Sequence, residues 1–372
     1  ISLFISPKNI VNKEGKTLEK NDVRVVSIEH KLGTNASPTC VLAYGDNEGA
    51  DAELIGEKHG GLRAMFTMMN NARLNVGIQG VSIAERAFQQ AYNFSQSRQQ
   101  GNSIDGSRDG TVAIIDHPDV QRMLMDMKSR IEAMRALSLF TANELDLSKN
   151  ALSSEDKIRA QENLDLLTPI VKAWCTDQGV LIASTGVQVH GGMGFIEETG
   201  AAQHYRDARI LPIYEGTNGI QALDLLRRKL SLDNGNIFKR FLSDMRKDAK
   251  ECIETKEDKL LEIGKKVIFA IDLLEDTSDE LLNMWKNSKR NAASGATPFL
   301  DMCGNIFGAW IMAKSAIKAY NLLNNNEVDK FLNDKIETSY FYVNTILEMS
   351  LSLKNVVINT HKNLDSIFNM QD

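Results

Sequence analysis

Apolar residues along the chain follow two different periods, and the change falls near Gly60. Before it, three short runs rich in β-branched and aromatic residues (1–5, 23–28 and 40–44) are separated by Asn, Gly and Pro, a pattern typical of β-strands. They predict a sheet that is too small to close a core alone. After it, apolar residues recur every three or four positions, as in helices that bury one face. The pattern therefore predicts a mainly α fold.

Helix limits follow from the same period and from the prolines. A long helix with interior glycines is predicted from Gly60, followed by a polar loop. Pro118 then begins a second helix, because its missing N–H costs nothing in the first turn. A third helix is predicted over residues 164–186, with Pro169 as a kink or a restart.

The length of the chain predicts two or three domains, because 372 residues are too many for one compact core. Residues 1–58 are predicted to be a partial β domain and 59–230 a bundle of long helices. A polar linker opens the third region, 231–372, which again has the helical period. Within it, the asparagine-rich stretch 321–326 is predicted to be a turn.

Composition narrows the class of protein. The formal net charge of −6 argues against a nucleic-acid partner. We expect no membrane span and no signal peptide. The expected location is the cytoplasm of a bacterium, with the mitochondrial matrix as the alternative. No metal site is predicted, because the cysteines lack metal-ligand spacing. They are predicted to be buried thiols in a reducing compartment: Cys40, Cys175, Cys252 and Cys303.

The most distinctive stretch, residues 185–221, holds two glycine-rich turns on either side of a charged segment. Glycine lets the backbone approach a ligand closely, because no Cβ stands in the way. In the second turn Glu215 and Gly216 precede Thr217, which is a good N-cap for the helix predicted to follow. A carboxylate held at the start of a helix is a candidate general base. A surface turn with a solvated glutamate is the alternative interpretation.

Three motifs in this stretch closely resemble those of the acyl-CoA dehydrogenases, flavoenzymes that oxidise the Cα–Cβ bond of acyl-CoA thioesters. In that family a Q-x-x-G-G turn is followed by R-D-A and then by Y-E-G-T. Here these motifs are residues 188–192, 206–208 and 214–217. The resemblance extends from about residue 22 to 230.

Two further stretches, 68–74 and 304–310, resemble a long subclass of the family that includes 3-methylmercaptopropionyl-CoA dehydrogenases. The implied fold is an acyl-CoA dehydrogenase-like helical bundle, preceded by a partial β domain and followed by a helical C-terminal extension. Because the chain begins at Ile1 within a predicted strand, we expect a fragment that lacks the family's N-terminal helical domain and the first half of its sheet.

The resemblance implies an FAD-dependent dehydrogenation that yields a trans-2-enoyl-CoA. Glu215 would remove the α-proton while the β-hydrogen leaves as hydride to flavin N5. A minority of relatives place the base directly before the arginine that matches Arg73, and here that position is Ala72, which cannot abstract a proton. Arg73 and Gly216 are implied on the substrate side.

The resemblance also implies a set of FAD contacts. Arg98 matches an arginine that reaches the FAD pyrophosphate of a neighbouring subunit, a role that suits a guanidinium. Gln121 matches a glutamine of the next helix, and Thr217 and Asn218 match the end that meets the flavin diphosphate. The turn that holds the adenosine half is matched by Gln188, Val189, His190, Gly191 and Gly192. A purely structural role is the alternative for the histidine.

The implied partners are an acyl-CoA substrate, an electron-transfer flavoprotein and further copies of the chain in a homodimer or homotetramer. An acyl-CoA oxidase, distinguished by fast reoxidation with oxygen, is one alternative. A non-enzymatic, flavin-bearing DNA-associated relative is another, and the acidic charge weighs against it.

Overall fold

The computed structural model describes residues 1–325, 329–362 and 364, without the side chain of Thr67. The chain divides into two compact units, Ile1–Ala72 and Arg73–Asp372. The boundaries at residues 58 and 230 that the sequence suggests stay predictions.

The first unit contains short antiparallel strand pairs. Strand β1 (Leu3–Ile5) pairs with β6 (Glu53–Ile55), β2 (Asn9–Val11) with β3 (Thr17–Lys20), and β4 (Val23–Ile28) with β5 (Cys40–Tyr44). In the last pair Val25 lies opposite Leu42, and both side chains are exposed. Such small ladders bury little apolar surface, as the sequence predicts.

The residues predicted to form the site lie in the second unit, on or between helices of which the first starts within the first unit. Their bounds are α1 (Gly61–Ser97), α2 (Pro118–Asn150), α3 (Ser154–Val189), α4 (Ala201–Ala208) and α5 (Asn218–Asp224), which continues as a π-helix over Leu225–Leu230. The polar loop predicted between α1 and α2 contains a hairpin of β7 (Gln99–Asn102) and β8 (Thr111–Ala113). Two short 3-10 turns, Gly191–Phe195 and Glu197–Thr199, connect α3 to α4.

Helix α3 begins ten residues before the predicted start at residue 164. Ser153 caps it, because its side chain accepts a hydrogen bond from the backbone N–H of Asp156 at 3.0 Å. Its first turns are polar and mostly exposed, so they carry no apolar period. Pro169 lies inside the helix without ending it, whereas Pro118 is the first residue of α2, as predicted.

The remaining helices are α6 (Asn236–Glu254), α7 (Asp258–Asn287), α8 (Lys289–Ser294), α9 (Ala296–Asn324), α10 (Lys330–Leu351) and α11 (Leu353–Asn359). Helix α9 is buried over most of its length, because α6, α7, α10 and α11 pack around it together with α2, α3 and α5. The prediction of a turn over 321–326 is wrong for 321–324. The half-buried Leu322 and Leu323 keep that stretch helical, and Asn326 lies outside the described residues.

One hydrophobic core joins the helices of residues 73–230 to those beyond, and its largest buried side chains include Trp174, Phe238, Phe307 and Tyr342. The mainly α fold is therefore confirmed. None of the described helices is long and apolar enough to cross a membrane.

The prediction of buried thiols holds for three cysteines and is wrong for the fourth. Cys175, Cys252 and Cys303 are buried, and burial raises the pKa of the Cys175 thiol to about 12. Cys40 is only half-buried, because its strand belongs to a two-stranded sheet, which buries little of its side-chain surface.

Candidate active site

Glu215 lies on the turn that leads into α5, and its carboxylate side chain is half-buried. Its backbone is left-handed, with φ 54°, and Gly216 follows with φ 87°. A left-handed non-glycine residue costs about 1–3 kcal/mol and persists only where its surroundings hold it. Thr217 ends the turn as the predicted N-cap, because its Oγ1 accepts a hydrogen bond from the N–H of Ile220 at 3.3 Å.

Arg73 of α1 holds this turn from one side. Its side chain is buried, and Nε donates a hydrogen bond to the backbone oxygen of Glu215 at 3.4 Å. The structure therefore brings together two residues that are 142 positions apart and that the sequence assigns to one site. A Cβ at Gly216 would lie 3.6 Å from Nη2 of Arg73 and 2.8 Å from Nε2 of Gln221. Glycine suits position 216 because of this crowding and because of its φ.

Lys172 of α3 holds the turn from another side, and the sequence analysis missed it. Its side chain is 0% exposed, and Nζ donates to the backbone oxygen of Gly216 and to Oδ1 of Asn218, both at 2.8 Å. Burial lowers the pKa of the Lys172 ammonium to about 8. The available signal was a lone lysine inside a long apolar run, because a charged residue there needs internal partners.

Asn218 completes the contact between the turn and α3. Besides accepting from Lys172, its side chain donates through Nδ2 to the backbone oxygen of Ala173 at 3.0 Å and to Oγ1 of Thr176 at 2.9 Å. Its backbone N–H donates to the oxygen of Pro212 at 2.9 Å. The sequence assigns Asn218 to the flavin diphosphate, whereas the structure uses its side chain to fasten the turn.

Gln221, one turn into α5, is a second residue that the sequence analysis missed. Its Nε2 donates to the oxygen of Gly216 at 3.3 Å, so that oxygen accepts from both Gln221 and Lys172. Its Oε1 is buried and accepts no hydrogen bond from any residue in the described part of the chain. A buried acceptor without a donor is costly.

The glycine-rich turn after α3 is a separate region. Gln188 is exposed, whereas Val189 and His190 are buried. The His190 ring stacks on Phe94 with centroids 4.5 Å apart, and its Nδ1 lies 2.7 Å from the backbone oxygen of Gly186. These contacts favour the structural role for the histidine. Beside Gly191 and Gly192 the space is open, because a Cβ at either position would meet nothing within 4 Å.

Arg98 and Gln121 lie on either side of the β7–β8 hairpin, and both are exposed. Arg98 directly follows α1, and its Nη2 donates to Oε1 of Gln100 at 3.3 Å. Gln121 lies in the first turn of α2, where its N–H donates to the oxygen of His117. The described hydrogen bonds and ion pairs connect neither residue to the Glu215 turn.

Taken together, the contacts define a carboxylate on a turn that three helices hold in place. Arg73 of α1 and Lys172 of α3 bind its backbone oxygens, and Thr217 and Gln221 fasten it to α5. A half-buried carboxylate fixed in this way can accept a proton from a molecule bound beside it.

Comparisons with known proteins show the family. Residues 59–230 match the family described as "Acyl-CoA dehydrogenase, C-terminal domain", and residues 241–366 match "Acetyl-CoA dehydrogenase C-terminal like". The chain therefore belongs to the acyl-CoA dehydrogenase family and carries its C-terminal domains. The resemblance read from the three motifs is confirmed.

Two curated relatives are similar to this chain over much of its length. The chain is 43% identical over 354 residues to the 3-methylmercaptopropionyl-CoA dehydrogenase of Ruegeria pomeroyi, covering 93% of this chain and 58% of the relative. It is 37% identical over 250 residues to a butyryl-CoA dehydrogenase of Syntrophomonas wolfei, covering 66% of this chain and 41% of the relative. The chain thus spans less than two thirds of the length of these curated relatives.

Solved structures support the fold. Caenorhabditis elegans ACDH-11 in complex with C11-CoA has a TM-score of 0.70 at 24% identity, over 90% of this chain and 55% of that one. An acyl-CoA dehydrogenase complexed with FAD from Bacillus anthracis has a TM-score of 0.71 at 19% identity, over 91% and 56%.

Proposed function

We propose that the complete protein dehydrogenates an acyl-CoA thioester between Cα and Cβ to the trans-2-enoyl-CoA, and that Glu215 is the base for the α-proton. The observation that carries this proposal is the position of Glu215 in a chain of this family. Glu215 is half-buried on its turn. Arg73 and Lys172 hold that turn, because they bind the backbone oxygens of Glu215 and Gly216. Holding the base rigidly beside the thioester lowers the entropic cost of proton transfer.

FAD is the proposed cofactor, and when bound it supplies the acceptor for the hydride that leaves Cβ. The exposed residues fit such a group. The open space beside Gly191 and Gly192 lets a ligand approach the backbone, and the exposed Gln188 adds a polar side chain there. The Arg98 guanidinium suits a pyrophosphate by bidentate hydrogen bonding, and the exposed Gln121 and Thr217 would add further polar contacts. Val189, His190 and Asn218 would act through their backbone, because their side chains pack or bond internally.

On the substrate side we propose that Arg73 and Gly216 line the thioester site, since Arg73 binds the Glu215 turn and Gly216 is part of it. The relative at 43% identity makes 3-methylmercaptopropionyl-CoA the first substrate to test, and the second relative makes butyryl-CoA the next. Both are short acyl groups. We propose a short acyl chain for this protein as well.

The remaining assignments follow from the family. We propose an electron-transfer flavoprotein as the electron acceptor, a homodimer or homotetramer as the working form, and the cytoplasm of a bacterium as the location.

The proposal is tested by anaerobic titration of the FAD-loaded protein with a panel of acyl-CoAs, following flavin absorbance. We expect bleaching with at least one short-chain thioester, and none with pivaloyl-CoA, which has no α-hydrogen and is the matched control. Absence of bleaching with every thioester would contradict the proposal. Rapid recovery of colour when oxygen is admitted would identify the oxidase alternative instead.

A further inference from the structure

Two consecutive backbone oxygens of the Glu215 turn each accept a hydrogen bond from a cationic side chain, and the two side chains come from different helices. The oxygen of Glu215 accepts from Arg73 of α1, and the oxygen of Gly216 accepts from Lys172 of α3. Both cations are buried, Lys172 completely. Because water does not compete for a buried donor, these charge-assisted bonds constrain the turn more strongly than surface bonds would.

The turn needs this constraint because its backbone is unfavourable. Glu215 and Gly216 are both left-handed, and the first has a side chain that disfavours this conformation. Released from its partners, Glu215 would relax towards negative φ, and its Cα–Cβ bond would turn with the backbone. The direction of the carboxylate therefore depends on the groups that bind the two oxygens.

Lys172 can hold the Glu215 turn in place because its own helix, α3, is itself held by neighbouring side chains. The backbone oxygen of Lys172 accepts from Oγ1 of Thr176 at 2.8 Å within α3. Two residues beyond the lysine, the buried Trp174 donates through Nε1 to Oδ1 of Asn305 on α9 at 2.9 Å. The ammonium thus extends from a helix that this hydrogen bond ties to α9.

We propose that Lys172 is a positioning residue for the reaction: its ammonium binds the Gly216 oxygen and the Asn218 side chain, and so keeps the Glu215 carboxylate in the orientation that takes the α-proton. This inference rests on the proposed function of Glu215. Lys172 itself does not exchange a proton with the substrate. Its contribution is to hold a strained turn in one conformation.

The test replaces Lys172 with Met, which keeps the length and burial of the side chain and removes the donor. In the intact, FAD-loaded protein we expect kcat to fall about a hundredfold while KM stays within about twofold. Hydrogen exchange of the amides of residues 214–219 should become at least about tenfold faster, because the turn opens more often without its charged anchor. Lys172→Gln, which keeps an N–H donor on a shorter side chain, is measured in the same assays if the Met variant does not fold.

Thr168→Val is the matched control. Thr168 is buried one helical turn before Lys172, and its hydroxyl donates to the oxygen of Leu164 within α3, not to the Glu215 turn. The Thr168→Val variant should leave both kcat and the amide hydrogen exchange of residues 214–219 unchanged. Wild-type exchange in the Lys172 variant, or equal effects in the control, would overturn the inference. Failure of the proposed function is seen separately, as turnover that survives Glu215→Gln.

Discussion

Nε1 of Trp174 donates a hydrogen bond to Oδ1 of Asn305 at 2.9 Å, joining α3 of the bundle to α9 of the extension. Next to Asn305, Gly304 lies against the same indole, and a Cβ there would fall far inside van der Waals contact with the ring. The hydroxyl of Tyr342 on α10 donates to the backbone oxygen of Asn305 at 3.1 Å. The extension therefore packs directly on the helix that carries Lys172.

Gly304→Ala should destabilise the protein through this contact. The added methyl group must displace Trp174, which is fully buried, and overpacking of this kind costs about 1–3 kcal/mol. We expect a lower Tm in thermal unfolding followed by circular dichroism. Gly219→Ala is the control, because a Cβ at that position of α5 meets nothing within 4 Å, and its Tm should not fall. An unchanged Tm for Gly304→Ala would mean that the helices are not in such close contact.

Asp301 of α9 should make stability depend on pH. Burial, and then the neighbouring carboxylate of Asp177, raise the pKa of Asp301 to about 6. The unfolded chain loses this proton near its ordinary pKa of 3.8, so between about pH 4 and 6 the folded state binds more protons than the unfolded one. The contribution of Asp301 to stability is therefore greatest below pH 4 and is lost as the pH rises to 6.

Asp301→Asn removes this loss, because the amide keeps the shape of the protonated carboxyl group. The variant should match the wild type near pH 4 and be more stable by about 3 kcal/mol above pH 6. Denaturant unfolding at a series of pH values measures the difference. Asp279→Asn is the control, since Asp279 forms an exposed ion pair with Lys239 and should show no such rise. A constant difference between Asp301→Asn and wild type at every pH would refute the assignment.

Arg98→Ala should lower FAD occupancy without unfolding the helices. The side chain is exposed, so its loss leaves the core intact, while a bound pyrophosphate would lose a bidentate donor. The ratio of flavin to protein absorbance after gel filtration measures occupancy. Arg122→Ala, which removes an exposed arginine of α2 paired with Asp119, should retain FAD. Because Arg98 is proposed to serve a neighbouring chain, full occupancy in a strictly monomeric form would contradict its role.

The sequence predicted those features that depend on local pattern. The limits of β4 and β5, Pro118 as the start of α2 and Thr217 as the cap of α5 all follow from neighbouring residues. Glu215 and Arg73 were paired by motif resemblance, and the structure brings them into contact.

What the sequence did not predict depends on contacts between distant segments. The apolar run around Lys172 indicates a buried lysine, but its partners, Gly216 and Asn218, lie 44 and 46 residues away and become known only from the fold. The anchoring of Asn218 on α3 requires the turn and the helix to meet, 42 residues apart for Asn218 and Thr176. The early start of α3 was missed because exposed first turns have no apolar period, although Ser153 was a visible cap.

The central claim, that Glu215 removes the α-proton, is tested most directly by deuterium exchange at Cα of a thioester bound in heavy water. Glu215→Gln keeps the size of the side chain and removes its ability to accept a proton. We expect exchange to fall by about 10²–10⁴ with FAD still bound, while Glu197→Gln, an exposed glutamate paired with Arg206, exchanges like the wild type. Wild-type exchange in the Glu215→Gln protein would contradict the account.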